Sequence, residues 1–269
     1  MELIYSKLCK LSTSMTSEPQ RGQVYSPKYV KNAGSMENEH FNGYWLDIAF
    51  MYSMRHITFE SDRFPALSGL ATFFSKQQGK QYYAGIFSGG TAHSLLWCAV
   101  TPVILSRRKI AGYGGPLWSW MSVNVRIMFK GRGGDDESVS ALRDVTFKLT
   151  PRGRDPNGTL KDGRMDLTGN IKSATMRRIT AKEDTSMRFE ANSKMMANFQ
   201  LDFADQARLE NESQEVECLL IMDGDDGPYN VLVLRRVKQT LHFERIGIAS
   251  VDLEWFVVGN SRHEYITVV

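Results

Sequence analysis

The stretch Val123-Asn124-Val125-Arg126-Ile127-Met128-Phe129 carries an apolar side chain at every odd position, and it follows directly on Gly115-Pro116-Leu117-Trp118-Ser119-Trp120-Met121-Ser122. A period of two predicts a β-strand with one buried face. The two tryptophans are also two residues apart, so on a strand both indoles would share a face. Because they occupy even positions and the valines odd ones, we expect a bulge or bend near Ser122.

The sequence before this stretch predicts two or three helices. A first apolar stripe at helical spacing comprises Trp45, Ile48, Ala49 and Tyr52. A second helix has cap candidates in Ser61-Asp62, tolerates Pro65 in its first turn and should end at Gly79. The segment Leu95-Leu96-Trp97 fits either helix or strand. Residues 1–42 show no sustained period and predict a poorly ordered leader.

The sequence after Phe129 predicts mainly strands. Alternating or continuous apolar runs occupy 145–149, 165–171, 217–222, 231–237, 241–248 and 265–269. Residues 172–215 lack a pattern and predict a long excursion, helical in part or disordered. The expected fold is α+β, with two or three N-terminal helices packed on a mainly antiparallel sheet or barrel. We expect one domain over 43–269, with a helical part at 43–100 and a β-rich part at 110–269.

Composition limits the possible partners and the compartment. The chain has 269 residues and a formal charge of +3, too little to predict nucleic-acid binding. No apolar run is long enough for a membrane span. Three isolated cysteines, Cys9, Cys98 and Cys218, form neither a disulfide framework nor a metal knuckle. We expect Cys98 and Cys218 to be buried thiols and the protein to be cytoplasmic.

Sequence signatures of common catalytic sites are absent. The chain contains no GxGxxG after a strand, no Walker loop, no HExxH and no GxSxG. Its five histidines are not at metal-ligand spacing from one another. The sequence therefore predicts no metal and no cofactor.

An ordered series of segments resembles the C-terminal region of fungal heterokaryon-incompatibility proteins, the HET-domain family. The matching segments are Trp45, Tyr52-Ser53-Met54-Arg55-His56-Ile57-Thr58, Ser61-Asp62-Arg63-Phe64-Pro65-Ala66-Leu67-Ser68-Gly69-Leu70-Ala71, Tyr82-Tyr83-Ala84-Gly85-Ile86-Phe87, Leu95-Leu96-Trp97 and Pro116-Leu117-Trp118-Ser119-Trp120-Met121-Ser122. Weaker blocks follow at 155–158, 163–165 and 243–247. The resemblance covers roughly residues 43–269.

The chain departs from the family pattern in three ways. Phe87 stands where the family has Trp, Leu117 where it has Ser, and Met121 where it has Ala. The N-terminal HET domain, with its Trp-Ile-Asp-Ala-x-Cys-Ile-Asn-Gln segment, has no counterpart in this sequence. The resemblance therefore implies an appended domain that stands alone, and a function that depends on the HET domain does not transfer with it.

The first functional hypothesis is small-molecule handling, in the form of a cofactor-free cyclase or pericyclase for an apolar secondary metabolite. Such ring closure requires a shaped cavity and hydrogen-bond donors rather than a metal or nucleophile. Its expected aromatic wall is Tyr113, Trp118, Trp120 and Trp255. Its candidate catalytic groups are Asp62, Arg63, His242 and Arg245. Structural alternatives are a helix cap for Asp62 and a surface or strand-pairing charge for Arg245.

The second hypothesis is a non-catalytic recognition or decoy module in fungal non-self recognition, with a protein partner. The sequence alone slightly favours the first hypothesis, because a domain without its effector needs another role. A cavity lined by the tryptophan pair would support small-molecule handling. A solidly packed interior beside an exposed apolar patch would support partner binding.

Overall fold

A computed structural model describes residues 38–55, 57–100, 115–130, 139–177, 187–190, 198–202, 214–223 and 229–269. The helices in these ranges are α1 (Asn38–Ser53), α2 (Arg63–Gln78), α3 (Thr91–Leu95) and α4 (Leu253–Val257). The strands are β1 (Tyr82–Tyr83), β2 (Ile86–Phe87), β3 (Trp97–Ala99), β4 (Ile127–Phe129), β5 (Val139–Ser140), β6 (Arg143–Pro151), β7 (Leu160–Arg177), β8 (Met187–Glu190), β9 (Asn198–Leu201), β10 (Gln214–Asp223), β11 (Tyr229–Arg236), β12 (Phe243–Val251) and β13 (Arg262–Val268).

The two long helices form where the apolar spacing predicts them. α2 ends at Gly79, whose φ of 62° is the left-handed conformation that glycine adopts without steric cost, so the predicted end is confirmed. α1 begins at Asn38, inside the range 1–42 that the sequence predicts as a leader. Phe41, in its first turn, is fully buried, which explains why the helix starts before the predicted boundary.

The strand predicted over 123–129 is largely wrong. Only Ile127–Phe129 pairs as a strand, with β3, and the tryptophans do not lie on a strand. Trp118 lies in a turn, and Trp120 begins a 3₁₀ turn over Trp120–Ser122 in place of the expected bulge. Ser119 stabilises this turn because its side-chain oxygen accepts a hydrogen bond from the Met121 amide at 3.0 Å. The ambiguous segment at 95–97 contains both elements, since α3 ends at Leu95 and β3 begins at Trp97.

Within the described ranges, nine strands, β5–β13, form one mostly antiparallel sheet. β7 pairs with β6, β8, β10 and β13, and β12 pairs with β9 and β11. One parallel pair, Phe243 with Val268, joins β12 to β13. The strands β7, β8, β9, β12, β11 and β10 pair in that order, and β10 pairs back with β7, so these six strands form a closed ring and the sheet is strongly curled. The structure thus confirms an α+β fold with N-terminal helices followed by a mainly antiparallel sheet.

The ring explains the continuous apolar runs in β10 and β11, which are buried on both faces. Side chains inside the ring form one apolar cluster, represented by Val216, Val231 and Val233. The alternate residues, such as Leu219 and Leu232, face outwards and pack with the helices, β1–β4 and the tryptophans. The core therefore has two parts separated by the sheet.

The excursion predicted over 172–215 is also shorter than expected. β7 continues to Arg177, β8 and β9 lie within the range, and β10 begins at Gln214. The first part was missed because the exposed Ser173 and the half-buried Thr175 pair with Glu217 and Glu215, so this half of the strand is polar in sequence. In the part of the chain that is described, no helix is long and apolar enough to cross a membrane.

Candidate functional site

The tryptophan pair lies in the core. Trp118 and Trp120 are both 0% exposed. The indole Nε1 of Trp120 donates a hydrogen bond to the Gly85 carbonyl oxygen at 2.8 Å. Burying an indole with its polar group satisfied is typical of a structural aromatic residue. Trp120 is therefore fixed against the β1–β2 turn.

The β1–β2 turn is shaped by Ala84 and Gly85, whose φ angles are 47° and 97°. A Cβ atom added to Gly85 would lie 2.6 Å from Nε1 of Trp120, so the indole occupies the space that a side chain would need. The Ser119 hydroxyl also donates to the Ala84 carbonyl. The sequence Tyr-Tyr-Ala-Gly thus builds a turn that receives the tryptophan segment, and the Ala-Gly pair provides the required backbone conformation.

Trp118 packs against Phe147 of β6, with ring centroids 5.1 Å apart. Its carbonyl accepts a hydrogen bond from the Trp97 indole at 3.0 Å. Its own Nε1 is buried without a hydrogen-bond partner, and so is the Ser122 hydroxyl. Two unsatisfied polar atoms within five residues are unusual for a packed interior.

Arg63 is fully buried at the start of α2, beside the same segment. Its guanidinium donates to the Met121 carbonyl at 3.2 Å and to the Asn124 side chain at 3.1 Å. It also lies 5.6 Å from the ring centroid of Tyr52 and 6.0 Å from that of Trp120. Arg63 and Trp120, two predicted site residues, are thus in contact, and Arg63 joins α2 to the 3₁₀ turn.

Tyr52 completes this arrangement from α1. Its hydroxyl donates a hydrogen bond to the Arg63 carbonyl at 2.7 Å. Burial raises the pKa of Tyr52 to about 12, although the positive charges of Arg63 and Arg55 oppose the shift. At neutral pH the phenol is therefore a hydrogen-bond donor and not a base.

Asp62 is exposed and occupies the N-cap position of α2, but its side chain makes no capping hydrogen bond. It accepts a weak hydrogen bond of 3.3 Å from the Ser61 hydroxyl. Asp62 therefore occupies the predicted N-cap position, but the capping hydrogen bond expected of its side chain is not formed.

Arg245 is a buried residue, so its interpretation as a surface or strand-pairing charge is wrong. Its Nε donates to Asp202 at 2.6 Å, and both residues are 0% exposed. The guanidinium also donates to the carbonyls of Leu95 and Trp97 and lies 3.8 Å from the Trp97 ring centroid. Burial raises the pKa of Asp202, and the charge of Arg245 opposes this shift. Arg245 thereby joins β12 and the residue after β9 to the helical part, because the two carbonyls belong to the last residue of α3 and the first residue of β3.

The other predicted site residues lie elsewhere. His242 is partly buried in the turn between β11 and β12, where its amide donates to the Thr240 hydroxyl at 3.1 Å. Trp255 is on α4, at one end of the strand ring. Tyr113 lies outside the described residues. One group of predicted site residues thus contains Arg63, Trp118 and Trp120. Arg245 is linked to it indirectly, because its guanidinium lies on the Trp97 ring and the Trp97 indole donates to the Trp118 carbonyl. His242 and Trp255 are not part of this group.

A second group of residues near Trp255 was missed by the sequence analysis. Lys172 of β7 lies under α4, donates to the Trp255 carbonyl and, at 2.6 Å, to the Val258 carbonyl, and sits 4.8 Å from the Trp255 ring centroid. Cys218 is directly opposite Lys172 in the β7–β10 register. Burial lowers the pKa of Lys172 and raises that of Cys218 to about 12. Cys98 and Cys218 are both buried free thiols, as predicted.

Among the described residues, no three His, Cys, Asp or Glu side chains are grouped so that they could hold a metal ion. No protein-family model, curated protein or solved structure matches this chain.

Proposed function

We propose that this chain is a non-catalytic protein-recognition module. The observation that carries the proposal is the complete burial of Trp118 and Trp120, the residues expected to line a small-molecule cavity. The only polar side-chain atom of Trp120 already donates a hydrogen bond to the Gly85 carbonyl. Arg63, a candidate catalytic group, donates one hydrogen bond to the Met121 carbonyl and one to the Asn124 side chain.

The candidate catalytic groups also fail to converge. Arg245 is engaged by Asp202 and two backbone carbonyls, while His242 lies in a separate turn. General acid–base work requires groups within hydrogen-bond reach of one substrate. These residues instead support one another and the fold, which favours a protein that acts through its surface.

Exposed apolar side chains provide the means of recognition. Val257 and Val258 are 61% and 66% exposed, and they adjoin the partly exposed Trp255. Contiguous apolar surface with an aromatic residue is typical of protein-binding sites. The resemblance to heterokaryon-incompatibility proteins is consistent with such a role in fungal non-self recognition.

Small-molecule handling remains a second candidate on one observation. The Trp118 Nε1 and the Ser122 hydroxyl are buried without hydrogen-bond partners, so a polar group of a bound apolar metabolite could satisfy them. A cofactor-free cyclase would use such donors to stabilise charge in its transition state.

Native mass spectrometry of the protein purified from a fungal host distinguishes the two functions. A recognition module should carry a polypeptide and no small molecule. A retained metabolite of defined mass, lost from the Trp118→Phe variant, would overturn the proposal and support the cyclase. A bare chain under gentle, low-salt purification would also count against a stable recognition complex.

A further inference from the structure

The short helix α4 lies between the apolar interior of the strand ring and solvent. Its Phe256 is buried among the apolar side chains inside the strand ring and packs on Tyr229, with centroids 6.3 Å apart. The next two residues, Val257 and Val258, face solvent. One short helix thus covers an end of the ring with one side and exposes apolar surface on the other.

Lys172 holds this helix in place. Its ammonium group donates to the carbonyls of Trp255 and Val258, and it lies against the Trp255 ring. Such a group at the C-terminal end of a helix satisfies carbonyls that lack helical partners. The exposed surface is therefore ordered before any partner arrives, which lowers the entropic cost of binding.

The charges on this surface are acidic. Asp252 and Glu254 are exposed, and residues 252–261 contain no lysine or arginine. Arg262, the next cation along the chain, is already paired with Glu217 at 3.1 Å and Glu264 at 2.7 Å. Lys172 is mostly buried and directed at backbone carbonyls. The charged side chains of residues 252–261 are thus opposite in sign to the formal charge of +3 for the whole chain.

We infer that the surface of Trp255, Val257 and Val258, with Asp252 and Glu254, docks a basic amphipathic segment of another protein. The apolar side of that segment would cover the valines and the indole, and its lysines or arginines would face the two carboxylates. This inference rests on the proposed function, because it names the surface and partner chemistry of the same recognition role.

Trp255 supplies a direct readout. The chain has five tryptophans, and the other four are at most 1% exposed, so acrylamide should quench Trp255 selectively. The probe is a synthetic amphipathic 18-residue peptide of leucine and lysine, compared with one of leucine and glutamate. Non-specific attraction to a chain of charge +3 would favour the glutamate peptide, whereas the acidic α4 surface should favour the lysine peptide.

The lysine peptide should protect Trp255 from acrylamide in a saturable way. A Val257→Ser/Val258→Ser variant should weaken its binding by about tenfold or more, because apolar contact is lost. The matched control is Leu241→Ser. Among the residues that the structure describes, Leu241 is the most exposed large apolar side chain, at 82%, and it precedes β12, whereas α4 follows β12. Asp252→Asn/Glu254→Gln should remove the preference for the lysine peptide, and Asp252 makes no capping bond that this change would break.

The inference falls if the lysine peptide gives no protection, if the glutamate peptide binds as well, or if Leu241→Ser weakens binding as much as the valine variant. A polypeptide found by native mass spectrometry alongside any of these results would leave the recognition function standing and remove only this surface. A retained metabolite together with strong peptide binding at α4 would overturn the non-catalytic function and leave the docking surface standing.

Discussion

The indoles of Trp45 and Trp120 donate hydrogen bonds to the same acceptor, the carbonyl oxygen of Gly85, at 2.7 and 2.8 Å. Trp45 belongs to α1 and Trp120 to the segment after the β3 region, so one turn carbonyl joins two distant parts of the chain. A carbonyl oxygen has two lone pairs, and here both are used. The aromatic residues that stand out most in the sequence therefore organise the helical half of the core.

Replacing Gly85 should be severely destabilising. Gly85→Ala adds a Cβ atom 2.6 Å from the Trp120 Nε1 at a residue with φ of 97°. We expect a loss of about 3 kcal/mol or more in the free energy of unfolding, from backbone strain and steric overlap together. Urea denaturation followed by circular dichroism measures this.

Gly79→Ala is the matched control for Gly85→Ala. Gly79 has φ of 62°, but an added Cβ would meet nothing within 4 Å. This variant should lose only about 1 kcal/mol, the cost of the backbone conformation alone. Equal losses in the two variants would mean that Gly85 matters only for its backbone angle.

Truncating Trp118 should unfold much of the protein. Trp118→Ala removes a fully buried indole that packs on Phe147, and we expect a cost of roughly 3–5 kcal/mol. Trp255→Ala should cost less because Trp255 is partly exposed. Chemical denaturation of both variants provides the comparison. A fully stable Trp118→Ala protein would show that the indole borders empty space and would revive the cavity hypothesis.

The buried ion pair should show strong coupling. Arg245→Met leaves the Asp202 carboxylate buried without its partner, and we expect a loss of about 3–5 kcal/mol. Adding Asp202→Leu removes the isolated charge, so the double variant should be more stable than the single one. A double-mutant cycle by thermal denaturation measures the coupling. Additive losses would contradict this account.

Acid should destabilise the protein through Asp166. Burial alone would raise the pKa of this carboxyl, but hydrogen bonds from Thr267 and Lys148 and the nearby charge of Arg164 hold it below its ordinary value. A lowered pKa in the folded state stabilises the protein above the unfolded pKa, and this contribution disappears as pH falls below about 4.

Asp166→Asn should therefore reduce the loss of stability between neutral pH and about pH 3. The matched control is Asp162→Asn, which changes an exposed carboxyl on the same strand. Urea midpoints at several pH values provide the measurement. If both variants keep the original pH dependence, other carboxyls must cause the acid sensitivity.

Lys172 should control the order of α4 rather than the fold as a whole. Lys172→Met removes the donor to the Trp255 and Val258 carbonyls, so we expect greater acrylamide quenching of Trp255. Lys161→Met, which changes an exposed lysine of the same strand, should leave quenching unchanged. Fluorescence quenching without any peptide is the test. Unchanged quenching in Lys172→Met would mean that Phe256 alone holds the helix.

Local signals in the sequence predict part of this fold well. α2 could be assigned because its apolar face and its terminal glycine are read within one segment. β10 and β11 could be assigned because their apolar runs are buried whichever way the strand faces. The tryptophan pair was wrongly predicted to lie on a strand. Two aromatic residues at a spacing of two also fit a turn that continues into a 3₁₀ helix, which is the structure found here.

The candidate site depends on contacts that no local pattern contains. Arg245 and Asp202 are 43 residues apart, and Lys172 reaches a helix more than 80 residues later. Burial of a charged residue depends on its partner, so sequence reasoning assigns an isolated arginine or lysine to the surface. Gly85 lies in the segment Tyr82-Tyr83-Ala84-Gly85, but its structural role depends on the hydrogen bonds that its carbonyl accepts from two distant indoles.

β7 changes its surroundings halfway along its 18 residues. Its even positions include Arg164 and Asp166 on the polar outer side at first, and then Ala174 and Met176 inside the ring. Inserting or deleting one residue in this strand would therefore exchange inside and outside for everything beyond that point. Because β7 pairs with β6 and β13 along its first part and with β10 and β8 along its last part, we expect its amide hydrogens to exchange with solvent as a single cooperative unit.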